Sequence, residues 1–288
     1  MLINQYNEVI NLKIFIDSAD INEIKQAYSW GIIDGITTNP SLIKKAVELE
    51  LKKGKKFSLE KYIKEILKIS KKTPVSLEVT GTDYDSMIKE GQILYKKFHK
   101  YGNVYIKIPV NPALCDDNTC KRNDFDGIKA VRYLSDKKIP VNCTLIFTPE
   151  QALLAAKAGA KFLSPFVGRE DDFIRERAHI KFNKEDYFSK YGMKKAGKKI
   201  SDRGIVSGVD LIEKCKEVIV KSGYNSEILA ASIRNPRQLR EVALAGADIV
   251  TLPFDVLKKS VIHRKTIEGM KSFRKDNIKE YAKVAGER

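Results

Sequence analysis

Eight short runs rich in β-branched residues recur along the 288-residue chain, with amphipathic segments between them. They are KIFID (13–17), GITTN (35–39), VSLEV (75–79), VYIKIP (104–109), VNCTLIF (141–147), KFLSPFV (161–167), EILAASI (227–233) and DIVTLP (248–253). The intervening segments carry readable helix signals. Asp20 stands at an N-cap with Glu23 three residues on, which predicts a capping box, and Gly31 closes that helix. Thr148, Pro149 and Gln151 hold the cap, first and third positions of another helix, and Asn235 and Pro236 open one that ends at Gly246. A strand followed by a helix, eight times over, calls for parallel βα units. In a chain of this length the units predict a single-domain (β/α)8 TIM barrel, a fold that needs roughly 250 residues.

Two connections are longer than a barrel requires: 111–126, NPALCDDNTCKRNDFD, and 170–207, rich in Lys, Arg, Asp and aromatics. Both leave the C-terminal end of a strand, where barrel enzymes build their active sites. They are expected to be insertions on the functional face and not a second domain.

The formal net charge of +16 raises nucleic acid as a partner. The excess is mostly lysine, spread along the chain. Its densest run, from Leu51 to Lys72, interleaves lysines with Leu59, Tyr62, Ile63, Ile66 and Leu67, the spacing of a helix with one buried face. No RNA-binding aromatic signature or zinc-finger spacing accompanies it. A solvated basic surface is expected, with no nucleic-acid partner, and a positive field that steers phosphorylated metabolites. The N-terminus lacks the pattern of a secretory signal, and no apolar stretch approaches a bilayer span, so no membrane partner is expected. The four cysteines lack framework spacing and fit a reducing cytosol, which makes the expected location cytoplasmic. Cys115 and Cys120 are half a zinc site with no nearby histidine, so surface-loop thiols are expected and no metal.

Strand parity exposes polar residues in unexpected places, because side chains two apart share a face. Asn142 and Thr144 share one, as do Ser164 and Phe166, Ser232 and Arg234, and Thr37 and Asn39. Asp17 ends the first run, Glu78 lies in the third and Lys107 in the fourth. Singly these have ordinary explanations. A strand lysine often snorkels or guards a sheet edge, although a closed barrel has no edge to guard. Asp17 suits a turn, and Glu78 suits an ion pair with Lys107. Facing one another, a lysine, two carboxylates and a ring of hydroxyl and amide groups suit Schiff-base chemistry on a polyhydroxy carbonyl substrate. A lysine amine must be neutral to attack a ketone, and desolvation favours the neutral amine. The resulting iminium permits cleavage of the adjacent carbon–carbon bond. Asp17 can take the hydroxyl proton and Glu78 can shuttle protons through water. Arg169, Arg234 and the Ser232 hydroxyl suit a phosphate.

The stretches FIDSADINEI, GITTNPSLI, VSLEV, VYIKIP, GIKAVRYLS, NCTLIFTPEQALLAAKAGAKFLSPFVGR and ILAASIRNPRQLREVALAGADIVTLP occur in barrel order and spacing. Over nearly its whole length the chain resembles the transaldolase family. The resemblance implies a class I aldol mechanism with no cofactor, placed in the non-oxidative pentose phosphate pathway. A dihydroxyacetone unit would pass from sedoheptulose 7-phosphate to glyceraldehyde 3-phosphate, giving erythrose 4-phosphate and fructose 6-phosphate. Lys107 looks like the Schiff-base lysine and Asp17 like the acid/base for bond cleavage. Glu78 and Thr144 look like the pair that positions a proton-shuttling water. Asn39, Asn142 and Ser164 look like the groups holding the dihydroxyacetone hydroxyls, and Arg169, Ser232 and Arg234 like the phosphate site. The sibling fructose-6-phosphate aldolases cleave without transfer and typically carry glutamine at the position of Glu78 and tyrosine at that of Phe166. The residues present favour transfer, with cleavage as the alternative and a non-catalytic anion or nucleic-acid binder last. Family members range from monomers and dimers to ten-subunit rings, which leaves a homo-oligomer open. The chain departs from short members in the lengths of both 111–126 and 170–207.

Overall fold

The computed structural model describes residues 11–52, 57–114 and 123–276, together with 278, 281, 284 and 286. The eight runs become β1 (Lys13–Asp17), β2 (Gly35–Thr37), β3 (Pro74–Glu78), β4 (Asn103–Pro109), β5 (Val141–Ile146), β6 (Phe162–Pro165), β9 (Glu227–Ala230) and β10 (Ile249–Leu252). A small hairpin of β7 (Lys194–Lys195) and β8 (Lys198–Lys199) lies between the sixth and seventh. The eight pair in the cyclic order β1–β10–β9–β6–β5–β4–β3–β2, all parallel, and the sheet closes on itself. Helices follow every barrel strand: α1 (Ile21–Ser29), α2 (Pro40–Lys52), α3 (Leu59–Ile69), α4 (Tyr84–Phe98), α5 (Asp126–Asp136), α6 (Pro149–Lys157), α7 (Val167–Arg177), α8 (Gly208–Lys221), α9 (Pro236–Leu244), α10 (Phe254–Ser260) and α11 (Arg264–Lys275). This is the (β/α)8 TIM barrel that the pattern called for.

Alternation along each strand divides the apolar residues between two cores. Ile16, Ile36, Val75, Ile106, Val141, Leu163, Ile228 and Val250 pack outward under the helices. Phe15, Phe162, Leu229 and Ile249 fill the barrel interior with Tyr105 and Phe166. There the Tyr105 and Phe162 rings stack at 4.3 Å, and Phe15 meets Phe162 edge-on at 5.9 Å. Gly35 makes room for Phe15: a Cβ there would fall 2.5 Å from the ring. The interior aromatics form an apolar floor beneath the polar ends of the strands.

Local signals held with informative exceptions. Thr148 and Gln151 form the expected capping box. Asp20 caps α1 by accepting from the Asn22 and Glu23 amides, but the Glu23 carboxylate goes to the Ser18 hydroxyl instead of closing the box. α3 buries Tyr62, Ile63, Ile66 and Leu67 as expected, whereas Leu59 is exposed. β2 ends at Thr37 and not Asn39, because the Thr38 amide and hydroxyl both turn to the Ser76 carbonyl and Asn39 caps the next helix.

The stretch 170–207 is not a loop throughout, since its first part is most of α7. That helix buries Glu170, Asp171 and Arg175 beside Val167 and Ile174, so charge obscures the apolar stripe. In 111–126 the chain re-enters α5 at Asp126, and Gly127 packs so closely that a Cβ would meet the Pro109 carbonyl at 2.1 Å. Cys115 and Cys120 lie outside the described residues.

Candidate active site

On β4, Val104, Ile106 and Ile108 face the helices, so Tyr105 and Lys107 must face the interior. Register sets Lys107 between Glu78 of β3 and Asn142 of β5. The lysine is 5% exposed, with Nζ 3.0 Å from Glu78 Oε2. It also donates to the Thr38 carbonyl at 3.3 Å. A counter-ion and a carbonyl thus answer a charge that would be costly to bury alone.

Asp17 ends β1 and accepts a hydrogen bond from Thr37 Oγ1 at 2.7 Å. Thr37 Oγ1 lies 2.6 Å from Thr251 Oγ1. Burial pushes the Asp17 carboxyl above its ordinary range, while the Lys107 charge and the Thr37 hydrogen bond pull it back. On the other side, Ser164 Oγ donates to Asn142 Oδ1 at 2.7 Å, and Asn142 Nδ2 donates to Ser76 Oγ at 3.1 Å. Thr144 sits where the β5–β6 register shifts, next to Leu145 with φ +58°. Thr144 lies in register with Pro109, two residues past the lysine, and its buried hydroxyl has no hydrogen-bond partner among the described residues.

A cavity opens over these residues. Asp17, Asn39, Lys107, Ser164, Phe166, Arg169 and Ser232 line it, with Thr37 and Thr251. Arg169 lies over the Phe166 ring at 5.3 Å, and Phe166 packs against Phe147 at 5.9 Å. The positive φ of Ser232 turns the chain after β9, and the Ser232 carbonyl accepts from the Gly168 amide at 3.0 Å. Only glycine fits at 168, since a Cβ would lie 2.5 Å from that carbonyl and 2.6 Å from Arg234 Nε.

Glu78, Asn142 and Thr144 belong to the same cluster without lining the cavity. Arg234 stands apart. Its Nη1 and Nη2 hold Asp172 Oδ1 and Oδ2, both at 2.5 Å, and Nη1 reaches the Lys184 carbonyl at 3.2 Å. Three residues escaped the sequence reading. Ser76 and Thr251 were visible in strand parity, Ser76 two before Glu78 and Thr251 inside the eighth run. Asp172 gave no signal, because it meets Arg234 only across the fold.

Among the described residues, no group of three or more His, Cys, Asp or Glu is placed to hold a metal ion. Burial pushes the Cys143 thiol up to about 12 and raises that of Cys215, so neither is a ready nucleophile. No helix among the described residues is long and apolar enough to cross a membrane.

Residues 14–286 match the family model described as Transaldolase/Fructose-6-phosphate aldolase. A probable transaldolase of Thermoplasma acidophilum is 40% identical over 266 residues, covering 92% of this chain and 95% of that protein. Those of Geotalea daltonii and Aquifex aeolicus are 39% and 38% identical, each over 92% of this chain and 97% and 96% of their own lengths. With a family model spanning the barrel and relatives aligned almost end to end, the chain belongs to the transaldolase/fructose-6-phosphate aldolase family and is an enzyme of the transaldolase type.

Proposed function

We propose that the enzyme moves a dihydroxyacetone unit from sedoheptulose 7-phosphate or fructose 6-phosphate to glyceraldehyde 3-phosphate or erythrose 4-phosphate, through a Schiff base on Lys107. One observation carries this reading: a primary amine, 5% exposed, lines a polar cavity 3.0 Å from a carboxylate. Such an amine is shielded from water and has an acceptor for the proton it must lose before attacking a ketone.

The neutral amine adds to the C2 carbonyl of the donor, and the carbinolamine loses its hydroxyl as water to give the iminium. Glu78 takes the ammonium proton and, with Thr144, holds the water that relays protons at this step. Asp17 then removes the proton of the C4 hydroxyl. The C3–C4 bond breaks, its electrons pass into the iminium to leave an enamine, and the aldose phosphate departs. Burial raises the Asp17 carboxyl and helps it keep that proton until the acceptor arrives. The enamine attacks the acceptor aldehyde, Asp17 returns the proton to the new alkoxide, and hydrolysis frees ketose and lysine. Asn39, Asn142 and Ser164 hold the dihydroxyacetone hydroxyls. Arg169 and Ser232, at the cavity wall, receive the phosphate, with Arg234 behind them. Glu78 and Phe166 support transfer over simple cleavage, as their counterparts in the aldolase branch are glutamine and tyrosine.

Borohydride reduction in the presence of fructose 6-phosphate, followed by mass spectrometry, is expected to place the adduct on Lys107. An adduct elsewhere, or full transfer by Lys107→Ala, would falsify the mechanism. Fructose 6-phosphate incubated with and without erythrose 4-phosphate separates the two branches. Release of glyceraldehyde 3-phosphate that needs the acceptor supports transfer, and release without it supports cleavage.

A further inference from the structure

Thr251 has no part in the steps above, yet its hydroxyl lies inside the cavity on the strand beside Asp17. β2 and β10 flank β1, so Thr37 and Thr251 approach the Asp17 carboxylate from its two neighbouring strands. Both threonines are 2% exposed. Thr37 Oγ1 lies within hydrogen-bond distance of both Asp17 Oδ1, at 2.7 Å, and Thr251 Oγ1, at 2.6 Å.

We propose that Thr251 is a positioning residue for the cleavage step: its hydroxyl donates to Thr37 and thereby turns the single Thr37 proton toward Asp17. Proton counting requires that direction. An ionised carboxylate only accepts, and a hydroxyl has one proton to give. Thr37 must spend its proton on Asp17, which leaves the Thr37–Thr251 contact to be filled by the proton of Thr251. When Asp17 has taken the substrate proton, it becomes the donor and both hydroxyls rotate to reverse the chain. The link to the ionised carboxylate is the stronger end of such a chain, and donation from Thr251 polarises it further. Thr251 therefore favours the form of Asp17 that must accept the proton. The charged groups facing Asp17 are Lys107 from β4, with its partner Glu78 on β3, and Arg169 from α7 across the cavity. From β2 the Thr37 hydroxyl reaches Asp17, and from β10 the Thr251 hydroxyl reaches Thr37.

The inference rests on the reading of Asp17 as the cleavage base, and the test keeps the two separable. Transfer kinetics across pH would be measured for the parent enzyme, Thr251→Val and Thr251→Ser, with Lys107 trapping in each. Valine keeps the branched shape and strand preference of threonine and puts a methyl group in place of the hydroxyl. Thr251→Val is expected to form the Lys107 adduct normally, with kcat lowered about three- to tenfold, KM nearly unchanged and the acid limb of kcat moved up by about half a pH unit. Thr251→Ser is expected to restore both the rate and the limb. An acid limb left in place in Thr251→Val, or a serine variant that behaves like the valine one, would overturn the inference while leaving the Schiff-base reading intact. A parent enzyme that forms no adduct on Lys107 overturns both.

Discussion

Two arginines near the cavity differ in their partners, and that difference sets what each substitution does. Arg169 faces the cavity and lies over the Phe166 ring. Arg169→Ala is expected to raise KM for phosphorylated donors by about tenfold or more, with a much smaller effect on unphosphorylated ones. Arg234 is locked to Asp172, each side chain 16% exposed. Removing it leaves Asp172 to the more distant Arg175 Nη1, 3.7 Å away, so Arg234→Ala is expected to cost about 1–2 kcal/mol of stability, less than breaking an isolated buried pair. It is also expected to raise KM for phosphorylated donors. Urea unfolding and a comparison of KM with both donor classes separate these effects, and equal KM changes on the two would remove Arg234 from the phosphate site. The positions of both arginines were legible from strand and loop spacing. The pairing of one of them was not, since Asp172 is 62 residues away in sequence.

At the scale of elements, α7 departs furthest from the sequence reading, and the reason has a measurable consequence. Its buried face carries two carboxyls: burial pushes Glu170 up to about 8 and Asp171 to about 7. Nearby Asp202 and Asp171 raise Glu170 further, and Glu170 Oε1 has no hydrogen-bond partner. A folded chain that holds protons its unfolded form would release is favoured at low pH. The contribution is complete below about pH 4, the ordinary carboxyl range, and is lost as pH rises through 7 to 8. Tm is therefore expected to fall between pH 5 and pH 8, and Glu170→Gln to flatten that slope by raising Tm at pH 8 more than at pH 5. Parallel Tm curves for variant and parent would show that Glu170 is not the source. The same buried charges explain why 170–207 read as one long connection: a helix is recognised by its apolar stripe, and here part of the stripe is acidic.

Across the whole molecule, the barrel interior is divided into an aromatic floor and a polar cup, and the cup depends on the floor. Phe15, Tyr105 and Phe162 interlock only because Gly35 leaves the space of a side chain open. Gly35→Ala is expected to destabilise the fold by about 1–3 kcal/mol through overpacking against a rigid ring. The reading is a lower denaturant midpoint at an unchanged slope, with some loss of activity as β1 and Asp17 shift. A midpoint equal to that of the parent would show that the floor yields without strain.

Helix caps and strand parity are local properties that a one-residue slip would destroy, so the barrel, its strands and the residues that share a face could be read along the chain. The sequence also placed Asp17, Glu78 and Lys107 in or near the C-terminal halves of three of the strands. Apart from the Glu78–Lys107 pair, which partner each polar group takes is settled by the assembled fold. Closure of the sheet sets β10 beside β1, so Thr251 reaches Thr37 across 214 residues of chain, and packing of α7 against the end of β9 gives Arg234 to Asp172. Those pairings depend on distances that exist only once the barrel and its helices have assembled, and no local pattern in the chain encodes them.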